Sequence, residues 1–438
     1  MRVLCEPSLT QWPTGERRVI ATGHQPSLWH PGILAKYLVS QHACNDTGAT
    51  LLNIVVDHDT TEVLTLDVPV IRDQRIEVNT LRLAHQNPNL PLCSHPPVDP
   101  ATVLQSLGDA RSSDELAVDL SPLIEVWFDQ DLAGCGSLGA QASLVMSKLM
   151  ARYHIEATAL CSADTLRRED TAGVVTQMIS NARACALAYN EAIDQTPDAG
   201  VRRLTITDDR VELPMWLVSP NEERRRVYVD VQGDVSVAGL QWPVDVKECL
   251  TGDSPMRLAP RALLLSALAR SCFCDVFVHG TGGTNYDRVT ERWWRNWIDQ
   301  SLAPIATVSA DVTLEFDAPV STLDEARRAV WHAHHLPHNI DRQLNLTGDD
   351  VSQKRYLIEH MNDDGDRTRK AAAFDEIHRI NDKLIRDHAD AIEKANREAE
   401  LARVGLINLA VAQRRDWCFA LYPAELIKKK LISQIENM

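Results

Sequence analysis

The chain has 438 residues, 44% of them hydrophobic and 24% charged, with 45 Lys and Arg against 61 Asp and Glu for a formal charge of -16. That length allows two or three domains, or one large core with an appendage, and the ordinary Pro and Gly content excludes a collagenous or mainly disordered chain. The acidic balance excludes a protein that coats nucleic acid, because counterion release needs clustered Lys and Arg.

Residues 18–23, Arg-Val-Ile-Ala-Thr-Gly, form a short apolar run ending in Gly, the pattern of a buried strand. Pro31-Gly32 opens a helix over 33–43, and residues 50–56 make a second buried strand broken by Asp57-His58-Asp59. Strand, helix and strand in that order predict a βαβ unit in a parallel sheet. The polar clusters at both strand ends then fall on the carboxyl edge, where open α/β sheets bind ligands.

Farther on, the pattern predicts helices over 139–153 and 164–193, then antiparallel strands and turns through 201–230. A helix over 261–270, a strand over 275–278, the turn Gly280-Thr281-Gly282-Gly283 and a helix over 284–298 follow. From about Thr322 the sequence is charged and Ala-rich. Ile377, Ile380, Leu384 and Ile392 recur at helical spacing through a run over 368–403 that lacks Pro and Gly. So long a helix needs a partner for its apolar stripe, expected from 404–435 or from a second subunit. The predicted organisation is an α/β core over 1–320, with inserted β/α segments at about 160–250, and a helical arm over 321–438.

No segment has the ~20 uninterrupted apolar residues of a membrane span. The opening Met1-Arg2-Val3-Leu4-Cys5-Glu6-Pro7 has no apolar run of signal-peptide length, so a cytoplasmic location without a membrane partner is expected. The ten Cys have no framework and no Cys-x-x-Cys occurs; Cys272 and Cys274 read as a reduced core pair.

Three clusters carry chemistry. In the first, Thr22-Gly23-His24-Gln25 through His30-Pro31-Gly32, the glycines let backbone approach a ligand and the amides at the helix start suit an anion. His24 and His30 are donors to phosphate oxygens, or else merely helix caps. In the second, Asp57-His58-Asp59 with Glu62 nearby, two carboxylates flank an imidazole. Such a group binds Mg2+ or Zn2+, grips an amine or ribose, or supplies a general base; the bland alternative is a solvated turn. On a continued strand Asp57 and Asp59 share one face and His58 points away. The third, His279-Gly280-Thr281-Gly282-Gly283-Thr284-Asn285-Tyr286-Asp287, is a Gly-rich turn that brings amides onto a phosphate or carboxylate, or a plain tight turn; it is neither a Walker loop nor GxGxxG. Lys148 reads as a solvated charge, Gly134 to Gly139 as a flexible link, and His332, His334, His335 and His338 as a polar helix face. Trp293, Trp294 and Trp297 read as core.

In their order, Thr22-Gly23-His24-Gln25, Leu28, Pro31-Gly32, Lys36-Tyr37, Asp57-His58-Asp59 and Glu62-Val63 resemble the bacillithiol-biosynthesis cysteine-adding enzymes. Ala259-Pro260-Arg261-Ala262-Leu263-Leu264 and Gly282-Gly283 extend the resemblance over roughly residues 18 to 300. His24 stands where that family has the first Gln of a TGQQ-type loop, and His30 where small residues are usual. The resemblance implies a Rossmann-like core of the class I nucleotidyl-transfer type, a C-terminal coiled-coil arm and a homodimer. It also implies an activity that joins cysteine to the amine of a glucosaminyl-malate as an amide.

The expected function is therefore a ligase joining an amino acid, cysteine by analogy, to the amine of a small molecule. ATP or another nucleotide is the expected cosubstrate, and Mg2+ at Asp57 and Asp59 is a candidate ion, with zinc ranked below it. The candidate catalytic residues are His24, His30, Asp57, His58 and Asp59. Binding of nucleotide or substrate is expected from Thr22, Gly23, Gln25, Gly32, Lys36, Arg261, His279, Gly280, Gly282, Gly283, Asn285, Tyr286 and Asp287. The alternatives are a metal-dependent nucleotidylyltransferase or hydrolase, and a non-catalytic scaffold of the same fold.

Overall fold

A computed structural model describes residues 2–6, 18–240, 244–361 and 366–435. Its strands, in chain order, are β1 (Arg2–Glu6), β2 (Val19–His24), β3 (Thr50–Val55), β4 (Thr65–Arg72), β5 (Arg75–Arg82) and β6 (Ala157–Cys161). They continue with β7 (Arg210–Val218), β8 (Arg225–Asp230), β9 (Val235–Val237), β10 (Arg257–Pro260), β11 (Val276–His279) and β12 (Ile305–Ser309).

The main sheet has the order β1-β12-β11-β2-β3-β6, with β1 antiparallel at one edge and the other five strands parallel. Strands buried on both faces read as unbroken apolar runs, and every residue of Val276–His279 is buried. Among the parallel strands the first in sequence, β2, is central. The next two lie on one side of it and the last two on the other. The order thus reverses between β2 and β11, the place where an open α/β sheet leaves a crevice beyond its carboxyl ends. The Thr22 hydroxyl bridges this seam by donating to the Val278 carbonyl at 2.8 Å. At Gly23 the backbones of β2 and β3 come so close that a Cβ would lie 2.6 Å from the Ile54 carbonyl oxygen.

The middle of the chain forms a separate antiparallel sheet, β10-β7-β8-β9, as the alternation through 201–230 predicts. The helix expected over 164–193 is interrupted: Asn181, at φ -122 and ψ 35, separates Glu169–Ser180 from Ala182–Asp194. Trp293 and Trp294 are fully buried and share a core with Leu213, Met215 and Leu264.

The chain divides into two compact units: one of Met1–Val68, Asn79–Val312 and Arg415–Met438, the other of Pro69–Val78 and Thr313–Arg414. This differs from a division at 320/321 in three respects, the first being that the boundary falls between Val312 and Thr313. The last segment belongs to the first unit, where the Phe419 amide donates to the Trp29 carbonyl at 2.6 Å and the Tyr422 hydroxyl to Val312 at 3.0 Å. The tip of the β4–β5 hairpin belongs to the second, where Asn408 accepts from the Ile76 amide and donates to the carbonyls of Gln74 and Pro319. Asp73 and Gln74 at that tip both have positive φ, as a tight two-residue hairpin turn requires.

Within the second unit the run over 368–403 is two helices, Arg367–Asp387 and Ala389–Ala412, broken at His388. Its stripe is also differently covered than expected. Ile380 and Leu384 pack against Leu336, Ile340 and Val351, so the covering residues precede the stripe in sequence. His332, His334 and His335 lie on the Leu323–His335 helix. Among the described residues no helix is long and apolar enough to cross a membrane.

The glycines give a test of the main sheet. Gly23→Ala is expected to lower the unfolding free energy by about 2 kcal/mol or more, because backbone cannot give way as a side chain can. Gly282→Ala, whose methyl would meet nothing within 4 Å, is expected to stay within about 1 kcal/mol of the parent. Urea denaturation of both variants checks the pair.

Candidate functional site

A cavity of about 620 Å³ lies in the first unit, at the carboxyl ends of β2, β3, β11 and β12. Its wall brings together Gly23, His24, Gln25, His30, Gly32 and Lys36 from the first cluster, and His58 and Asp59 from the second. Arg261, His279, Gly280, Gly282, Gly283 and Tyr286 complete the predicted residues on it. Thr22, Asp57 and Asp287 are not on the wall, and the Asn285 side chain lies outside the described residues.

The loop after β2 is fixed by aromatic packing. Trp29 donates from Nε1 to the Gln25 carbonyl at 2.7 Å and stacks on Tyr37 with ring centroids 4.6 Å apart; the Tyr37 hydroxyl donates to Asn53 at 2.8 Å. The loop then enters the Pro31–Thr47 helix with Pro in its first turn, where the missing amide is harmless. His24 donates from Nδ1 to the Gln25 carbonyl at 3.1 Å, so its Nε2 carries the lone pair. Burial, with the Lys36 charge behind it, lowers the His24 pKa to about 3. His30 has the opposite tautomer: its Nδ1 accepts from the Gly32 amide at 3.1 Å, leaving Nε2 as the donor. Burial lowers its pKa also, so the ring is held toward its neutral form. One turn into the helix, Lys36 is 3% exposed and donates to the Gly23 carbonyl at 2.9 Å. Burial brings its ammonium down to about 7.

The second cluster corrects the expectation drawn from strand alternation. β3 ends at Val55, so Asp57 lies beyond the strand, His58 and Asp59 lie on a bend, and the period of two no longer applies. Asp57 turns inward, where its Oδ1 accepts from the Ser162 hydroxyl and the Ala163 amide, both at 2.9 Å. Burial raises its pKa against those two bonds. With its one proton given to Asp57, the Ser162 oxygen accepts from His58 Nδ1 at 2.6 Å, which leaves the lone pair on Nε2. Burial, reinforced by Arg224, lowers the His58 pKa to about 4. Asp59 faces the cavity, held by Arg224 at 3.1 Å, the Thr60 amide at 2.9 Å and Gln25 at 3.4 Å. Burial works to raise its pKa, but the Thr60 amide, Arg224 and Gln25 outweigh it and keep the carboxyl below the usual range. Asp57 and Asp59 therefore do not converge and do not fit a two-carboxylate seat for Mg2+. Among the described residues no group of three or more His, Cys, Asp or Glu is placed to hold a metal ion.

The Gly-rich turn is tighter than the sequence predicts, because the helix starts at Thr281 and takes Gly282 and Gly283 into its first turn. Asp287 is buried one layer behind the wall. It accepts from the Ser266 hydroxyl, from Arg270 Nη1 at 2.8 Å and from His279 Nε2 at 3.1 Å. Burial opposes ionisation of Asp287, yet His279, Arg270 and Ser266 prevail and lower its pKa. A Cβ on Gly283 would collide with His279 Nδ1, so a side chain here would displace the imidazole.

Trp216, Arg224 and Ser266 are among the wall residues not read from the sequence. Arg224 donates to the His58 carbonyl and to Asp59, and the guanidinium groups of Arg224 and Arg261 each lie 4.8 Å from the Trp216 ring centre. Arg261 also pairs with fully buried Glu212 at 2.7 Å. The only signal was the basic run Arg224-Arg225-Arg226 beside a turn, which by itself marks any exposed loop.

No protein-family model matches the chain, and no curated protein matches it.

The neutral imidazoles set a pH dependence. The folded pKa values of His24 and His58 lie near 3 and 4, below the ordinary 6.5. Between those limits the unfolded chain binds more protons than the folded one. Their contribution to stability is thus complete above pH 6.5 and declines as the pH falls toward 4. The melting temperature should drop through that window, and His58→Gln, which keeps a donor for Ser162, should drop less. Parallel curves for the two proteins would reject a buried neutral His58.

Proposed function

We propose that the chain is a carbon–nitrogen ligase that joins an amino acid to the amine of an anionic small molecule. The observation that supports this reading is the division of one cavity into two chemical halves. Asp59, His24 Nε2 and His58 Nε2 are acceptors, suited to the N–H groups of an amine or ammonium. Lys36, His30 Nε2, Arg261 and the start of the Thr281–Ile298 helix are donors, suited to carboxylate or phosphate oxygens. The parallel-strand order, with β2 central and a reversal toward β11, fits a Rossmann-like core. The resemblance of the ordered motifs to the bacillithiol-biosynthesis cysteine-adding enzymes supplies cysteine and glucosaminyl-malate as the first pair of substrates.

In this reading ATP activates the amino acid: a carboxylate oxygen attacks phosphorus, and ADP or pyrophosphate leaves. The acceptor amine then attacks the acyl carbon. The C–N bond forms as the bond to phosphate or AMP breaks, and the amine proton passes to the acceptor half. Asp59 positions the amine, and the donor half carries the charge that develops on the leaving phosphate oxygens.

Incubation with ATP, cysteine and glucosaminyl-malate is expected to give the amide together with ADP or AMP. Absence of amide rejects that pair, and absence of turnover across a panel of amino acids and amines rejects the ligase class. Asp59→Asn keeps the hydrogen-bond geometry and removes the charge. It is expected to raise KM for the amine at least about tenfold, with KM for ATP little changed.

A further inference from the structure

Three helices begin at the cavity wall, the seven-residue Ala262–Leu268 and two longer ones whose N-termini differ. The Pro31–Thr47 helix is closed by its own chain, since His30 Nδ1 accepts from the Gly32 amide. The sequence placed a phosphate there, but that amide is already bonded. The Thr281–Ile298 helix is preceded by Gly280 and has no side-chain cap. Its first turn, Thr281 to Gly283, lines the cavity, and the space a Gly282 side chain would take is open. The Gly283 amide turns back to the Gly280 carbonyl at 3.1 Å, while the amides ahead of it lack acceptors within their helix and carry the positive end of its dipole.

Lys36 supplies a second, independent observation. Its Cδ lies 3.7 Å from where a Cβ on Gly280 would sit, which sets the side chain against the start of this helix. Lys36 lines the cavity; its Nζ spends one donor on the Gly23 carbonyl and lies 5.7 Å from the Tyr37 ring centre, and among the described residues no carboxylate pairs with it. A lysine this deeply buried ordinarily has an anionic partner. Here the partner's place is on the cavity side.

We propose that the corner formed by Lys36 and the open first turn of the Thr281–Ile298 helix is the seat of a phosphoryl group. A phosphoryl group presents three oxygens around a tetrahedron, which matches a point-charge ammonium on one side and the Thr281 and Gly282 amides on the other. A carboxylate presents two oxygens in one plane and leaves part of the corner unfilled. The assignment refines the ligase reading and rests on it only for which molecule brings the phosphate.

Inorganic pyrophosphate is the probe, titrated calorimetrically into the full chain at pH 7, with acetate as the comparison. Pyrophosphate is expected to bind at least tenfold more tightly than acetate. Lys36→Met, which replaces the charge with an apolar chain of similar length, is expected to weaken it at least tenfold. Gly282→Asp puts a carboxylate into the open space at the helix start, and is expected to weaken it as much without lowering the melting temperature. Undiminished binding by both variants, or acetate binding as tightly as pyrophosphate, overturns the proposal. Turnover with undiminished pyrophosphate binding by both variants would remove the corner and leave the ligase. Loss of binding in both variants of a chain that couples no amino acid would keep the corner and remove the ligase.

Discussion

Taking the Lys36 ammonium out of water with no carboxylate to receive it is disfavoured, and the folded chain meets this by letting the proton leave near neutral pH. The arrangement of the cavity follows from that constraint. Lys36 is carried in by a helix whose first turn is fixed by Pro31 and His30, and its Nζ is received by the Gly23 carbonyl at the end of β2. Gly23 is itself held by the close approach of β2 and β3. A cation there also suppresses protonation of its neighbours, and His24 and His30 are both depressed in part by Lys36. The wall is therefore rich in nitrogen, and its fixed charges are those of Asp59, Arg224 and Arg261.

Further charges lie behind the wall and are paired there. Asp287 is shared by Ser266, Arg270 and His279, and Arg270 reaches on to Glu291 and the Ala303 carbonyl. Glu212 receives Arg261 at 2.7 Å, with Arg202 and Arg226 farther off. Buried pairs of this kind add little net stability, but removing one partner leaves an uncompensated charge that costs about 3–5 kcal/mol. Their effect is to hold His279 and Arg261 in one orientation at the cavity. The wall thus combines rigid outer support with inner groups whose protonation a ligand can change.

The elements set by local pattern were legible in the sequence. Val19–His24, the helix after Pro31 and Thr50–Val55 are apolar runs bounded by Gly, Pro or Asp, and they form where the pattern places them. The Gly-rich turn after β11 was legible too, although helix propagation draws Gly282 and Gly283 inside. What depends on distant contacts was not legible. Asp57 turns away because Ser162 and Ala163, more than a hundred residues later, offer it two donors. Arg224 reaches His58 and Asp59 across a similar span, and nothing local distinguishes it from Arg225. The apolar stripe of Ile380 and Leu384 was visible, but a stripe does not name its cover, which lies among Leu336, Ile340 and Val351.

Lys36 is a buried cation without an acid, and its own titration checks this. In lysine-labelled protein without added ligand, the side-chain NMR resonance of Lys36 is identified by its loss in Lys36→Met and followed with pH. The expected midpoint lies near 7. A midpoint at the ordinary lysine value, about 10.4, would mean that an anionic group or open water already reaches Nζ, and would contradict it.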